Sequence, residues 1–195
     1  MPSILFVIIA CLYLPLFESW FGGTLWGLNW KSPMFMDQLG DQLRLLKLIM
    51  VILAIALIII KSEKIKATIS SKMIRNVFII SGYILAVVQL PFLLLGVMFA
   101  GASSSELNYL HKEQTFNNRS IYVNTVNPGA TGKAYHYFYL KCQLPLNRYE
   151  LKQIKKMDWM REYSFEVKGN DLIVTDKSTE DTSHNFNVTN FSCNT

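Results

Sequence analysis

Fifteen residues, Lys61 to Arg75, constrain this chain more than any other feature. They read KSEKIKATISSKMIR and carry Lys61, Lys64, Lys66, Lys72 and Arg75 against the single acid Glu63. Two long apolar runs flank them. A short basic loop between two membrane-length stretches is retained on the cytoplasmic side, because clustered Lys and Arg resist translocation. The expected topology follows: amino terminus in, a basic cytoplasmic loop at 61–76, and everything after about Ser103 outside the cytoplasm.

Three apolar segments are candidates to span a bilayer, at about 4–20, 43–60 and 77–102. Crossing the hydrocarbon takes about twenty residues, so the third is long enough to tilt and the first is marginal. A cleaved signal peptide is the rival reading of the first segment. It has no Lys or Arg ahead of the apolar run and no Ala-x-Ala site before Glu18-Ser19-Trp20-Phe21, so a retained helix is expected. Within the spans, Gln89 sits two residues before Pro91, which should kink its helix. Interhelical hydrogen bonding is the expected use of such a Gln. Gly96 and Ala100 form a small-xxx-small pair. Arg44 and Lys47 lie near the outer end of the second span, where Glu18 can pair with either.

The linker 18–42 then lies outside and holds Trp20, Trp26 and Trp30, with Phe21 and Phe35. Indoles settle at head-group depth, so these read as interface anchors. Gly22, Gly23 and Gly27 break up helix there.

Of the residues, 51% are hydrophobic and 17% charged, with a formal charge of +5. The excess is juxtamembrane, where it sets topology and meets anionic lipid, rather than forming the basic face that nucleic-acid binding needs.

A linker at 103–118, opening with Ser103-Ser104-Ser105, leads to a domain at 119–195. Ser120–Val126 and Ala134–Gln143 read as strands separated by the turn-forming run Asn127-Pro128-Gly129-Ala130-Thr131-Gly132. Asn147 and Glu150 have capping-box spacing, and Leu151, Ile154, Met157 and Met160 recur every three residues, which predicts a helix. Arg148, Lys152, Lys155 and Lys156 fall off that stripe as a candidate partner surface. Tyr163–Val167 and Leu172–Asp176 flank Lys168-Gly169-Asn170-Asp171 as a hairpin, with Gly and Asn supplying positive φ. A last extended segment, Asn185–Cys193, completes a ββαββ(β) order. The expected fold class is thus three transmembrane helices plus a small C-terminal α+β extracytoplasmic domain.

Cys142 and Cys193 are the outer domain's only cysteines and the expected disulfide, while Cys11 lies in the first span. No catalytic, cofactor or metal motif is recognisable. His111, His136 and His184 stand far apart in sequence. Asn118, Asn187 and Asn190 are glycosylation acceptors in a eukaryotic host; a bacterial inner membrane is the expected setting.

The layout is similar to small inner-membrane accessory subunits and to immunity proteins that neutralise membrane-targeted or periplasmic toxins, in architecture and not in any motif. It implies a non-catalytic membrane protein, free to self-associate, whose periplasmic domain binds another protein. Two alternatives come from other classes. One is an oligomeric channel or transporter subunit built on Gln89, Pro91 and the outer Arg44–Lys47 pair. The other is a membrane-anchored enzyme using His136 and His184 with Asp176 or Asp181.

Overall fold

The computed structural model describes residues 3–20, 23–103, 110–116, 119–128, 132–178 and 182–193. The expectations placed on Phe21, Gly22, Ser104, Ser105, Asn118, Gly129-Ala130-Thr131 and Asp181 lie outside those residues. The chain divides into a unit of Met1–Leu28 with Phe35–Ser104 and a unit of Asn29–Met34 with Ser105–Thr195.

The first unit is helical: α1 (Ser3–Trp20), α2 (Thr24–Gly27), α3 (Pro33–Ile60), α4 (Ser62–Thr68) and α5 (Lys72–Ser103). Two helices are long and apolar enough to cross a membrane, Pro33–Ile60 and Lys72–Ala100, while Ile4–Trp20 is a shorter apolar helix. α3 starts ten residues before the expected 43, because Pro33 is pre-organised for a first helical turn. The basic loop is itself partly helical, and α2 is one left-handed turn, with Leu25 at φ 54° and Trp26 at φ 59°.

Ile8, Leu12, Val51, Ala54, Ile58 and Ala86 form the centre of this unit. A Cβ at Gly82 would stand 3.0 Å from Ile58 and 3.6 Å from Leu12, so the missing side chain is what admits both neighbours. Outward faces are as apolar as the interior: Ile52 is 50% exposed and Phe92 74%.

The described residues of the second unit from His111 onward form seven strands and no helix, so the helix expected within the ββαββ(β) order is replaced by a strand. β1 (His111–Phe116), β2 (Arg119–Val126), β3 (Tyr135–Leu144) and β4 (Arg148–Asp158) form one antiparallel meander. β5 (Tyr163–Lys168), β6 (Asp171–Asp176) and β7 (Thr182–Asn187) form a second. The inner faces share one core, in which Ile121, Val123, Phe138 and Leu140 of the first sheet meet Phe165, Leu172 and Val174 of the second. β1 begins inside the expected linker 103–118, and the last strand ends at Asn187 rather than Cys193.

The predicted helix at 147–160 is β4. Asn147 (φ 57°) and Leu146 (φ 62°) occupy the left-handed region in the three-residue turn joining β3 to β4. Asn tolerates that conformation as readily as a helix cap, so the capping signal was a turn signal. The three-residue apolar step has a second cause. A register shift pairs Phe138 with Lys155 and Tyr139 with Gln153, leaving Ile154 outside the pairs. This bulge resets which face successive residues occupy. Ile154 and Met157 therefore both pack on the core. In the next hairpin only Gly169 has positive φ, 63°, as the first central residue of a two-residue turn.

Candidate functional site

Polar groups in the helical unit are spent on structure. Glu18 receives the Leu25 N–H at 2.8 Å and ion-pairs with Lys47, whose ammonium also donates to the Ser19 hydroxyl at 3.1 Å. Arg44 pairs instead with Asp41 at 2.6 Å, and its side chain packs 3.4 Å from where a Cβ at Gly96 would stand.

The Gln89 amide donates to the Leu12 carbonyl of α1 and the Leu85 carbonyl of its own helix, both at 3.2 Å. Pro15, inside α1, leaves the neighbouring Cys11 carbonyl without its helical donor, so this bond bridges the helices beside a break. Pro91 lies within α5. A cavity of about 250 Å³ between α1 and α5 is lined by Ile9, Leu12, Tyr13, Phe78, Gly82 and Leu85, with Ser81 its one polar aliphatic neighbour.

In the basic segment, Lys61 precedes α4, Lys64 and Lys66 lie on it, and Lys72 and Arg75 open α5. Glu63 accepts from Lys66 at 2.7 Å, which holds its carboxyl below the usual range. Trp20 and Trp26 are 78% and 59% exposed. Trp30 belongs to the second unit, where the linker pairs with the start of β4: Tyr149 N–H donates to Asn29 at 2.9 Å, and Lys31 N–H to Asn147 at 2.7 Å.

Cys142 and Cys193 are bonded, with Cα atoms 5.3 Å apart. Lys152 donates to the Ser192 carbonyl at 2.8 Å, so the C-terminal tail is tied to the sheet twice.

The histidines separate. His136 is fully buried: Met160 N–H donates to its Nε2 at 2.9 Å, and Nδ1 meets the Thr125 hydroxyl at 2.8 Å. Burial lowers its pKa, so the neutral ring is the packed form. His136 is thus structural, at the centre of a stack in which Tyr163 lies 4.4 Å away and carries the Lys112 ammonium 4.0 Å over its ring. His111 stacks on Tyr122. His184 lies parallel to Phe186 on β7.

A cleft of about 700 Å³ opens in this unit where the end of β4 faces β7. Lys155 and Lys156 of the expected surface line it; Arg148 and Lys152 do not. Lys155 stands 5.5 Å over Phe186, and Lys156 stands 3.6 Å over Tyr135. Trp159, 45% exposed, Asp158, Asp176 and His184 complete the polar and aromatic lining. Asp176 and His184 therefore share a cleft, as the enzyme reading requires of them, while His136 does not join them. Asp176 Oδ1 already accepts from the Ser178 N–H at 2.8 Å and from its hydroxyl. Among the described residues, no group of three His, Cys, Asp or Glu side chains is placed to hold a metal.

Sequence reasoning missed Trp159, Tyr135 and Phe186 as lining. The signal for Trp159 was its place directly after the basic run, outside the linker that holds the other three tryptophans.

Comparison with protein-family models, with curated proteins and with solved structures finds no match for this chain.

Proposed function

We propose that this is an integral membrane protein of three spans, amino terminus in the cytoplasm, whose β unit lies outside the cytoplasm and binds a protein partner without catalysis. The carrying observation is the β4–β7 cleft: it is concave and aromatic, with Lys155 and Lys156 set against Asp158 and Asp176, and its lysines stack on rings while Asp176 is bonded in a local turn. Exposed aromatic side chains around a concavity are a common feature of a recognition surface. The basic 61–76 segment supports the orientation. The Cys142–Cys193 bond suits an oxidising compartment. The apolar outward faces of α3 and α5 suit lipid. An assembly subunit and a toxin-immunity protein both fit this layout.

The test is site-specific photo-crosslinking in the native host, with the crosslinker placed in turn at Trp159, Lys133 and Glu166. A reproducible adduct with one protein supports the reading. No protein adduct at any of the three positions overturns it. An acid–base reading retains one observation, the shared cleft of His184 and Asp176. A His184→Gln variant with full biological function removes it.

A further inference from the structure

In the helical unit, an apolar cavity and a basic corner meet on one helix. Phe78, Gly82 and Leu85 of α5 line the cavity of about 250 Å³ that this helix shares with α1. Arg75 comes three residues before Phe78, and steps of three, four and three put Arg75, Phe78, Gly82 and Leu85 on one face of α5. Arg75 therefore stands one turn before the cavity, on the cavity's own face.

The charge at this end is fixed in place and uncompensated. Ile65 of α4 is 0% exposed within the helical core, and Ile69 packs against the same core. The segment's single acid, Glu63, is taken by Lys66. Among the described residues, no ion pair engages Lys61, Lys64, Lys72 or Arg75. The Arg75 charge also acts on Glu63, so α4 and the start of α5 share one corner.

Depth fits the same order. At 1.5 Å per residue, Gly82 lies about 10 Å beyond Arg75 along α5. A headgroup layer is only about 5–7 Å deep. A phosphate held at Arg75 therefore leaves the chains below it at the level of the cavity. The Ser81 hydroxyl is spent on the Phe78 carbonyl at 3.1 Å, which leaves the α5 wall apolar. Unpaired cations at the mouth of an apolar cavity suit an anion joined to a hydrocarbon chain, and an acidic phospholipid is both.

We infer that the α1–α5 cavity and Arg75, with Lys72 one turn before it, form a site for one anionic phospholipid of the leaflet that the basic segment faces. The phosphate sits on the cations and one acyl chain enters the cavity. This rests on the membrane reading of the helices and not on the partner-binding role of the β unit.

The probe is dioleoyl phosphatidylglycerol, titrated against the full-length protein in a non-ionic detergent and read by native mass spectrometry. Dioleoyl phosphatidylcholine is the neutral comparison. Phosphatidylglycerol should bind more tightly, and Arg75→Gln should weaken it about fivefold, the contribution of one membrane-surface cation. Lys72→Gln/Arg75→Gln should remove the preference for the acidic headgroup. Dihexanoyl phosphatidylglycerol, too short to fill the cavity, should bind more weakly than the dioleoyl form. Ser81→Phe, which fills the cavity, should abolish that difference. Lys177→Gln in the β unit removes the same charge and should change nothing. Thermal unfolding without lipid shows which variants fold, and the chain-length comparison on the wild type needs no variant.

Equal binding of the two headgroups, or indifference to the double variant, overturns the inference. So does equal binding of the two chain lengths, or glycerol phosphate binding as tightly as the lipid. A dimer that excludes lipid and is lost with Ser81→Phe assigns the cavity to a second copy instead. Photo-crosslinking at the β unit is a separate outcome. A protein adduct without lipid selectivity keeps the partner and removes this site, and lipid selectivity without any adduct does the reverse.

Discussion

Glu18, at the end of α1, is ion-paired with Lys47 of α3, and the two side chains are only 12% and 11% exposed. One carboxylate oxygen takes the ammonium while the other fixes the Leu25 N–H of the left-handed turn. A buried pair of this kind is costly to break from one side, because the remaining charge is left uncompensated. Lys47→Ala should destabilise the helical unit by about 3–5 kcal/mol. Lys47→Met combined with Glu18→Gln should recover much of that loss. Thermal unfolding of the four proteins of the double-mutant cycle in one detergent measures the coupling.

The Gln89 bond to Leu12 is the polar link between α5 and α1. Gln89→Leu should cost about 1 kcal/mol, the usual worth of one interhelical hydrogen bond in a membrane. Reconstituted protein should pass no ion or solute, with or without this substitution. A flux abolished by Gln89→Leu would restore the channel reading.

Cysteine counting tests the compartment. Of three cysteines, Cys11 is free and the other two are bonded. Unreduced, denatured protein should therefore take up one maleimide and reduced protein three. Cys142→Ser with Cys193→Ser should lower the stability of the β unit by about 2–4 kcal/mol, since the bond closes a separation of 51 residues.

His136 predicts an acid-sensitive β unit. Burial depresses its folded pKa, so at a pH between the folded value and the unfolded value of about 6.5 the unfolded state binds more protons. Stability is then full above about pH 6.5 and is lost as pH falls below it toward the folded value. The urea midpoint should drop between about pH 7.5 and 5.5 for the wild type. His136→Gln should start lower, having lost shape and the Met160 contact, and show a smaller drop.

The two long apolar helices and the disulfide partners were legible in the sequence, because hydropathy over twenty residues and cysteine placement are strong local signals. That Glu18 would pair with Arg44 or Lys47 was legible too, from their common depth; the choice of Lys47, with Arg44 taken by Asp41, was not. The 147–160 segment was not. Its apolar step came from a bulge, and a bulge is written in the pairing with Phe138 and Tyr139 rather than in β4 itself. The cleft stayed hidden for a related reason. Its lining comes from β3, β4, β6, β7 and the residues just after β4, and only the packing of one sheet on the other brings Trp159 and His184 to one place. Lys155 and Lys156 were singled out as a helix face; as strand neighbours they lean to opposite sides instead.

Orientation decides whether the β unit can meet an extracytoplasmic partner at all, and reporter fusions read it directly. Alkaline phosphatase joined after Asn187 should be active, and joined at Ser70 it should be silent. A fluorescent cytoplasmic reporter at Ser70 should mature. Active phosphatase at Ser70, with none after Asn187, would place the cleft in the cytoplasm and contradict the account.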